Sequence, residues 1–129
     1  MARILIVDDE ETDRVLIRSL LEPGEHHLIF AADGQAAYDL CHETDVDVII
    51  TDLAMPGLNG LRLIKELRED HFDMPIIAIS GWAADQLDLA EDFGADFTLF
   101  KPLDGAKFLQ TLNAAVRPQR RPPPTELYR

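Results

Sequence analysis

Five side chains could do chemistry together if the fold brings them to one place: Asp8, Asp9, Asp52, Ser80 and Lys101. Three gathered carboxylates repel one another unless a cation neutralises them, and an all-oxygen site that keeps several waters suits Mg²⁺ best. Lys101 adds an ammonium and Ser80 a hydroxyl donor. With a bound Mg²⁺ these groups can hold the oxygens of a phosphoryl group, and a carboxylate in line with the phosphorus can act as nucleophile. Asp52 is the candidate nucleophile, which would make the product an aspartyl phosphate.

The elements around these residues explain why they should meet. Val46, Val48, Ile49 and Ile50 form a β-branched run that ends at Asp52, the pattern of a central strand covered on both faces of a parallel sheet. Pro56, Gly57 and Gly60 then break it. We number this strand β3. Before it, Arg3–Val7 reads as β1 and opens onto Asp8-Asp9-Glu10-Glu11. Thr12 or Asp13 is positioned to cap helix α1, with Leu16, Ile17, Leu20 and Leu21 at helical spacing until Pro23-Gly24. His27–Ala31 reads as β2, and Asp33-Gly34 leads into α2 with Ala37, Leu40 and Cys41 on one face.

After β3, Asn59 is placed to cap α3, with Leu61, Ile64 and Leu67 on one side. Ile76–Ile79 reads as β4 and ends on Ser80-Gly81. Helix α4 runs from about Ala83 to Phe93 and stops at Gly94. Asp96–Phe100 reads as β5, ending on Lys101-Pro102, and Asp104 can cap α5, with Phe108, Leu109, Leu112, Ala115 and Val116 on its buried side. Five strands alternating with five helices imply right-handed crossovers and an α/β parallel sheet with helices on both faces. The carboxyl ends of the strands then share one edge, where such sheets bind ligands. Asp52, on the middle strand, should sit deepest, and the paired acids on the neighbouring strand should reach a metal from the side.

Length and composition bound the rest. At 129 residues and 47% hydrophobic, the chain supports one domain with a real core. The expected division is a folded domain over 1–117 and an extended, flexible tail over 118–129, where Pro118 and Pro122–Pro124 interleave with Arg120 and Arg121. A net charge of −12 argues against direct nucleic-acid binding and against anionic membrane surfaces. One cysteine, no leader pattern and no long apolar run lead to the expectation of a reduced, cytoplasmic protein. Cys41 reads as a small hydrophobe, and His26, His27, His42 and His71 have no spacing that suggests a metal site.

With these residues in order, the sequence resembles a response-regulator receiver domain, the phospho-acceptor half of two-component signalling, over about residues 3–116. The resemblance rests on the acidic pair after β1, Asp52 followed by Met55-Pro56 and Gly60, a hydroxyl at the end of β4, and Lys101-Pro102 after β5. It implies a doubly wound, flavodoxin-like sheet of order 2-1-3-4-5. It implies Mg²⁺ held by Asp9, Asp52 and the backbone carbonyl of Ala54, with Asp8 acting through water. A phosphohistidine donor on a sensor kinase or histidine phosphotransfer protein is implied too, as is a cis peptide before Pro102.

The chain departs from the family pattern in three places. Where the family usually carries a switch aromatic, three positions before the lysine, this chain has Thr98; Phe97 and Phe100 are expected on the opposite face of β5. The signal is then expected to pass through Ser80 and the loop from β4 to α4. Gly81 replaces the usual alanine. Trp82 reads either as a shield that slows hydrolysis of the acyl phosphate or as a surface aromatic at the start of α4.

The leading reading is a stand-alone switch that changes the binding of an unknown downstream protein, as a monomer or a weak dimer through the α4-β5-α5 surface. It is not a turnover enzyme, though it carries the groups to catalyse its own phosphorylation and dephosphorylation. Two alternatives compete. A haloacid-dehalogenase-type hydrolase also uses a strand-end Asp with Mg²⁺, but it resembles a DxD pattern, and the second position here is Ala54. A phosphorylation-independent interaction module would not need the acids, Ser80 and Lys101 together.

Overall fold

The computed structural model describes residues 2–55, 57, 59–81 and 84–116. Its elements alternate as the apolar pattern requires: β1 Arg3–Val7, α1 Glu11–Leu21, a 3₁₀ turn at Glu22–Gly24, β2 His27–Ala31, α2 Gly34–Glu43 and β3 Val48–Asp52. These are followed by α3 Gly60–Glu69, β4 Ile76–Ser80, α4 Ala84–Phe93, β5 Phe97–Phe100 and α5 Gly105–Val116. The strands form one parallel sheet in the order β2-β1-β3-β4-β5.

Alternation along the strands splits the core in two. Leu5, Val7, Ile49, Ile76 and Ala78 face α2, α3 and α4, meeting Ala37, Cys41, Leu63, Ile64, Leu67, Leu87 and Ala90. Ile4, Ile6, Val48, Ile50, Ile77, Ile79 and Leu99 face α1 and α5, meeting Ile17, Leu21, Phe108, Leu112 and Ala115. Both faces of β1, β3 and β4 are therefore apolar, which is why those strands read as continuous hydrophobic runs. The doubly wound fold expected from the sequence is the observed one.

Local chemistry sets the helix ends. Asp33 accepts from the Ala36 N–H at 2.8 Å, Asn59 from the Arg62 N–H at 2.9 Å and Asp104 from the Ala106 N–H at 3.0 Å, each satisfying an otherwise unpaired first-turn donor. Gly94 ends α4 with φ +123°, and its carbonyl accepts from the Arg68 guanidinium, which also bonds Phe72 and Asp96 and so ties α3 to the entry of β5.

Three packing details differ from the sequence reading. Helix α1 begins at Glu11, with Glu10 in the cap position and no side-chain cap bond, so neither Thr12 nor Asp13 caps it. Leu109 is exposed, because the buried stripe of α5 runs through Phe108, Leu112 and Ala115, and Leu109 is rotated off it. On α3, Leu63 joins Ile64 and Leu67 inside, while Leu61 is only half-buried. The expected tail, 118–129, lies outside the described residues.

Gly60 shows how tightly the site is built from behind. A Cβ there would stand 2.1 Å from the Asp52 carbonyl oxygen and 2.8 Å from the Leu53 Cα, while the Gly60 N–H donates to the Leu53 carbonyl at 3.1 Å. The first turn of α3 is thus pressed against the backbone that carries Asp52. At Gly105, by contrast, a Cβ meets only the end of the Leu20 side chain, at 3.2 Å. In urea denaturation we expect Gly60→Ala to cost about 1–3 kcal/mol, because backbone must move. Gly105→Ala should stay within about 0.5 kcal/mol of the parent, since helix propensity offsets a small side-chain shift.

Candidate functional site at the strand ends

The register of the sheet decides which side chains meet. Val7 pairs with Thr51, so Asp8, the next residue, comes level with Asp52. Ser80 pairs with Phe100, and the Lys101 N–H donates to the Ser80 carbonyl at 2.9 Å, which puts the lysine one step beyond the strand end. The peptide between Lys101 and Pro102 is cis, as the resemblance implied.

At this edge one ammonium faces three carboxylates. Lys101 Nζ lies 3.2 Å from Asp52 Oδ2, 3.3 Å from Asp8 Oδ2 and 2.6 Å from Asp13 Oδ2. Asp8 and Asp52 are only 2% and 6% exposed, and Ser80 on the next strand end is fully buried. Asp52 Oδ1 accepts from the Ala54 N–H at 3.3 Å, and Asp8 Oδ1 from the Glu10 N–H at 3.0 Å. Below the Asp52 carboxylate, buried Thr51 donates its hydroxyl to the Asp52 carbonyl at 2.8 Å.

Burial is the largest influence on Asp8 and raises its pKa from 3.8 to about 6. The Glu10 N–H and Lys101 pull it down, and the charges of Asp52 and Asp13 push it up. For Lys101 the largest single effect, desolvation, favours the neutral amine, but the surrounding carboxylates together outweigh it and raise its pKa. The ammonium therefore stays charged, and the acids outnumber it.

Among the described residues, two oxygen-rich groups are candidate cation sites: Asp8 with Asp13 and Asp52, and Asp8 with Asp9 and Glu10, each with ligand atoms within 4.8 Å of one another. Asp8 belongs to both. Asp9 is exposed and groups with Asp8 and Glu10 rather than with Asp52, and Ala54, two residues after Asp52, is exposed. This donor set, hard oxygens with a surplus of negative charge, fits a Mg²⁺-type ion.

The residues read from sequence as chemical, Asp8, Asp52, Ser80 and Lys101, thus converge on one edge, with Asp9 at its rim. Asp13 was missed. The sequence presented it as a helix cap, and only the first-turn position of α1, directly after the acidic strand end, could have suggested that it faces the lysine.

Two further points bear on the expected switch. Strand alternation has period two, so Phe100 shares Thr98's face, a correction to the expectation that both phenylalanines point away from it. Phe97 and Leu99 pack into the α1/α5 core, and Phe100 is 53% exposed. Trp82 and Pro56, and the shielding expected of Trp82, lie outside the described residues. A Cβ on Gly81 would meet Lys101 Cβ at 3.5 Å, ordinary contact, so the usual alanine would fit there. The remaining reactive groups are structural: burial pushes the Cys41 thiol up to about 11, and His42 packs edge-on against Tyr38 and Phe72.

Comparison with known proteins gives the chain its family. Residues 4–113 match the response regulator receiver domain. The chain belongs to the response-regulator receiver family. PilH of Pseudomonas aeruginosa is 34% identical over 119 residues, covering 90% of this chain and 98% of PilH. The sensory/regulatory protein RpfC of Xanthomonas campestris is 34% identical over 115 residues, covering 85% of this chain but 16% of RpfC. The chain spans about half the length of several other curated relatives, among them NarP of Escherichia coli at 55%. Among solved structures, the receiver domain of the Francisella response regulator 1452 superposes with TM-score 0.85 at 26% identity, covering 91% of this chain and 98% of that one. The chain is therefore a two-component receiver domain, a signalling module rather than a typical turnover enzyme. Among the described residues no helix is long and apolar enough to cross a membrane.

The raised pKa of Asp8 makes stability pH-dependent with a definite sign. The folded state holds a proton on Asp8 that the unfolded chain has released, so this contribution is full below about pH 4 and is lost as pH rises through about 6. Without divalent ions, Asp8→Asn should be more stable than the parent at pH 7 by about 2 kcal/mol, with the difference shrinking toward zero near pH 4. Urea denaturation of both proteins at four or five pH values checks this, and a difference independent of pH would contradict it.

Proposed function

We propose that this receiver domain is a phospho-acceptor switch in which Asp52 takes a phosphoryl group from a phosphohistidine on a sensor kinase or histidine phosphotransfer protein. The observation that carries this reading is a buried carboxylate, at the end of the central strand, with one oxygen 3.2 Å from an ammonium and with a second acid and a hydroxyl on the neighbouring strand ends.

The step is an exchange of one phosphorus bond for another. A carboxylate oxygen of Asp52 forms a bond to phosphorus, the bond from phosphorus to the donor imidazole nitrogen breaks, and the imidazole leaves with a proton. Lys101 supports the charge on the transferred oxygens, since an ammonium in a poorly hydrated site acts with less screening than in water. Ser80, at the end of β4, offers a hydroxyl to a phosphoryl oxygen. When bound, Mg²⁺ supplies charge neutralisation for the acids and the phosphoryl group. Asp8, Asp9, Asp52 and the Ala54 carbonyl are the groups that would hold it.

Such a switch acts by changing the affinity of another protein. The α4-β5-α5 surface, which includes exposed Leu89 and Phe100, is the proposed output face, and the domain works as a monomer or a weak dimer through it.

Intact-mass analysis after incubation with Mg²⁺ and acetyl phosphate or phosphoramidate tests the reading. We expect one phosphate adduct on the parent, none on Asp52→Ala and none without a divalent ion, with Lys101→Met slowed by about 100-fold or more. No adduct from small donors or from any phosphohistidine donor would instead support a phosphorylation-independent interaction module.

A further inference from the structure

The shortest bond that Lys101 makes is not to the nucleophile. Its Nζ lies 2.6 Å from Asp13 Oδ2, against 3.2 Å from Asp52 and 3.3 Å from Asp8. Asp13 comes from the first turn of α1, with no part in capping that helix, and its side chain is 27% exposed, whereas Asp8 and Asp52 are closed in. The three carboxylates lie within 4.8 Å of one another, so they compete for a single ammonium.

That competition matters once Asp52 is esterified. The phosphoryl oxygens lie beyond Asp52 Oδ and carry more charge than the carboxylate did, so an ammonium serving them must change its partners. Asp8 is buried and anchored by the Glu10 N–H, and Asp52 becomes the phosphoryl carrier. Asp13 is the partner left to give way. It stands at the solvent side, and a cavity of about 380 Å³ lined by Asp13, Gly81, Lys101 and Leu103 leaves both side chains room to swing.

We propose that Asp13 is a resting-state latch on Lys101, a partner that the ammonium must surrender before it can serve a phosphoryl group on Asp52. This rests on the phospho-acceptor reading and goes beyond it: it makes Asp13 a positioning residue that acts through Lys101 and sets how readily the phosphorylated state forms. An ion-pair partner that must be surrendered disfavours the state in which it is surrendered.

The test uses the full chain, Mg²⁺ and beryllofluoride as the phosphoryl analogue, with phosphorylation by phosphoramidate beside it. For Asp13→Asn we expect beryllofluoride affinity to rise about tenfold, and the phosphoramidate KM to fall with kcat nearly unchanged. Lost repulsion between Asp13 and an anion would also raise affinity, so the same substitution is made in a Lys101→Met background. There the latch predicts a change of less than about twofold, and repulsion alone predicts the full change. In the parent, the ¹³Cγ resonance of Asp13 should shift when beryllofluoride saturates the site, because the carboxylate loses its ammonium. An unmoved resonance, an equal effect in the Lys101→Met background, or a loss of Mg²⁺ affinity in Asp13→Asn would each overturn the latch, the last by making Asp13 a metal ligand. A parent chain that takes neither phosphate nor beryllofluoride would overturn the phospho-acceptor reading and the latch with it. A parent that binds both while Asp13→Asn behaves identically would overturn the latch alone.

Discussion

One ammonium among three carboxylates governs this molecule. Lys101 stands within 3.3 Å of Asp8, Asp13 and Asp52 at the edge of a sheet whose other side chains are almost all apolar. Burying like charges together opposes folding, and a single cation compensates only part of that cost. The site is therefore poised to gain from any further positive charge. That imbalance adds to the burial that chiefly raises the Asp8 pKa, and it accounts for the persistent charge on Lys101. It also explains why a divalent cation and a phosphoryl group suit this edge as a pair: the ion corrects the surplus of acid, and the lysine then has an anion to serve.

The rest of the fold holds that imbalance in place. Parallel pairing on both sides of β3 fixes Asp52 against β1 and β4, and the two apolar faces leave the central strands no alternative register that keeps their side chains buried. Behind Asp52, Gly60 lets α3 approach the Asp52 carbonyl more closely than any side chain would allow, and the Thr51 hydroxyl bonds that same carbonyl. These contacts restrain the backbone, not the carboxylate. The side chain is left to lysine, to the Ala54 N–H and to whatever binds, which is the division of labour a site for a covalent adduct requires.

Much of this was legible in the amino-acid order, for reasons that are local. The strands are short, β-branched and end on chemistry-bearing residues, and Asp33, Asn59 and Asp104 cap their helices as their types suggest. What escaped depends on rotation about an element or on a contact across the chain. Asp13 looked like a cap because its type suits one, yet α1 starts before it and turns it toward a lysine 88 positions away. Leu109 looked like core because one turn of α5 has room for a wider stripe than the sheet covers. Phe100 was assigned to the wrong face, although the two-residue period of a strand was enough to place it. No sequence pattern announces that Gly60 is needed for a close approach by a carbonyl eight residues earlier.

A switch can be driven only by contacts that differ between its two states. In this chain the backbone ladders on either side of Asp52 have no reason to differ, since phosphorylation does not alter their partners. Thr98 occupies the place of the aromatic that relatives would swing inward, and the phenylalanine on its own face, Phe100, is already largely in solvent. On the proposed reading, a chain without that aromatic would carry the change in its polar groups. The candidates are the Ser80 hydroxyl, at the end of β4, and the Lys101 ammonium, whose partners include a residue of α1. Ser80 sits buried at the end of β4, between β3 and β5. Lys101 instead touches α1, β1 and β3 at once, and a shift of its bonds redistributes charge across three elements. On the proposed reading, the chemistry of the ammonium, more than the packing of an aromatic, would couple Asp52 to the surface.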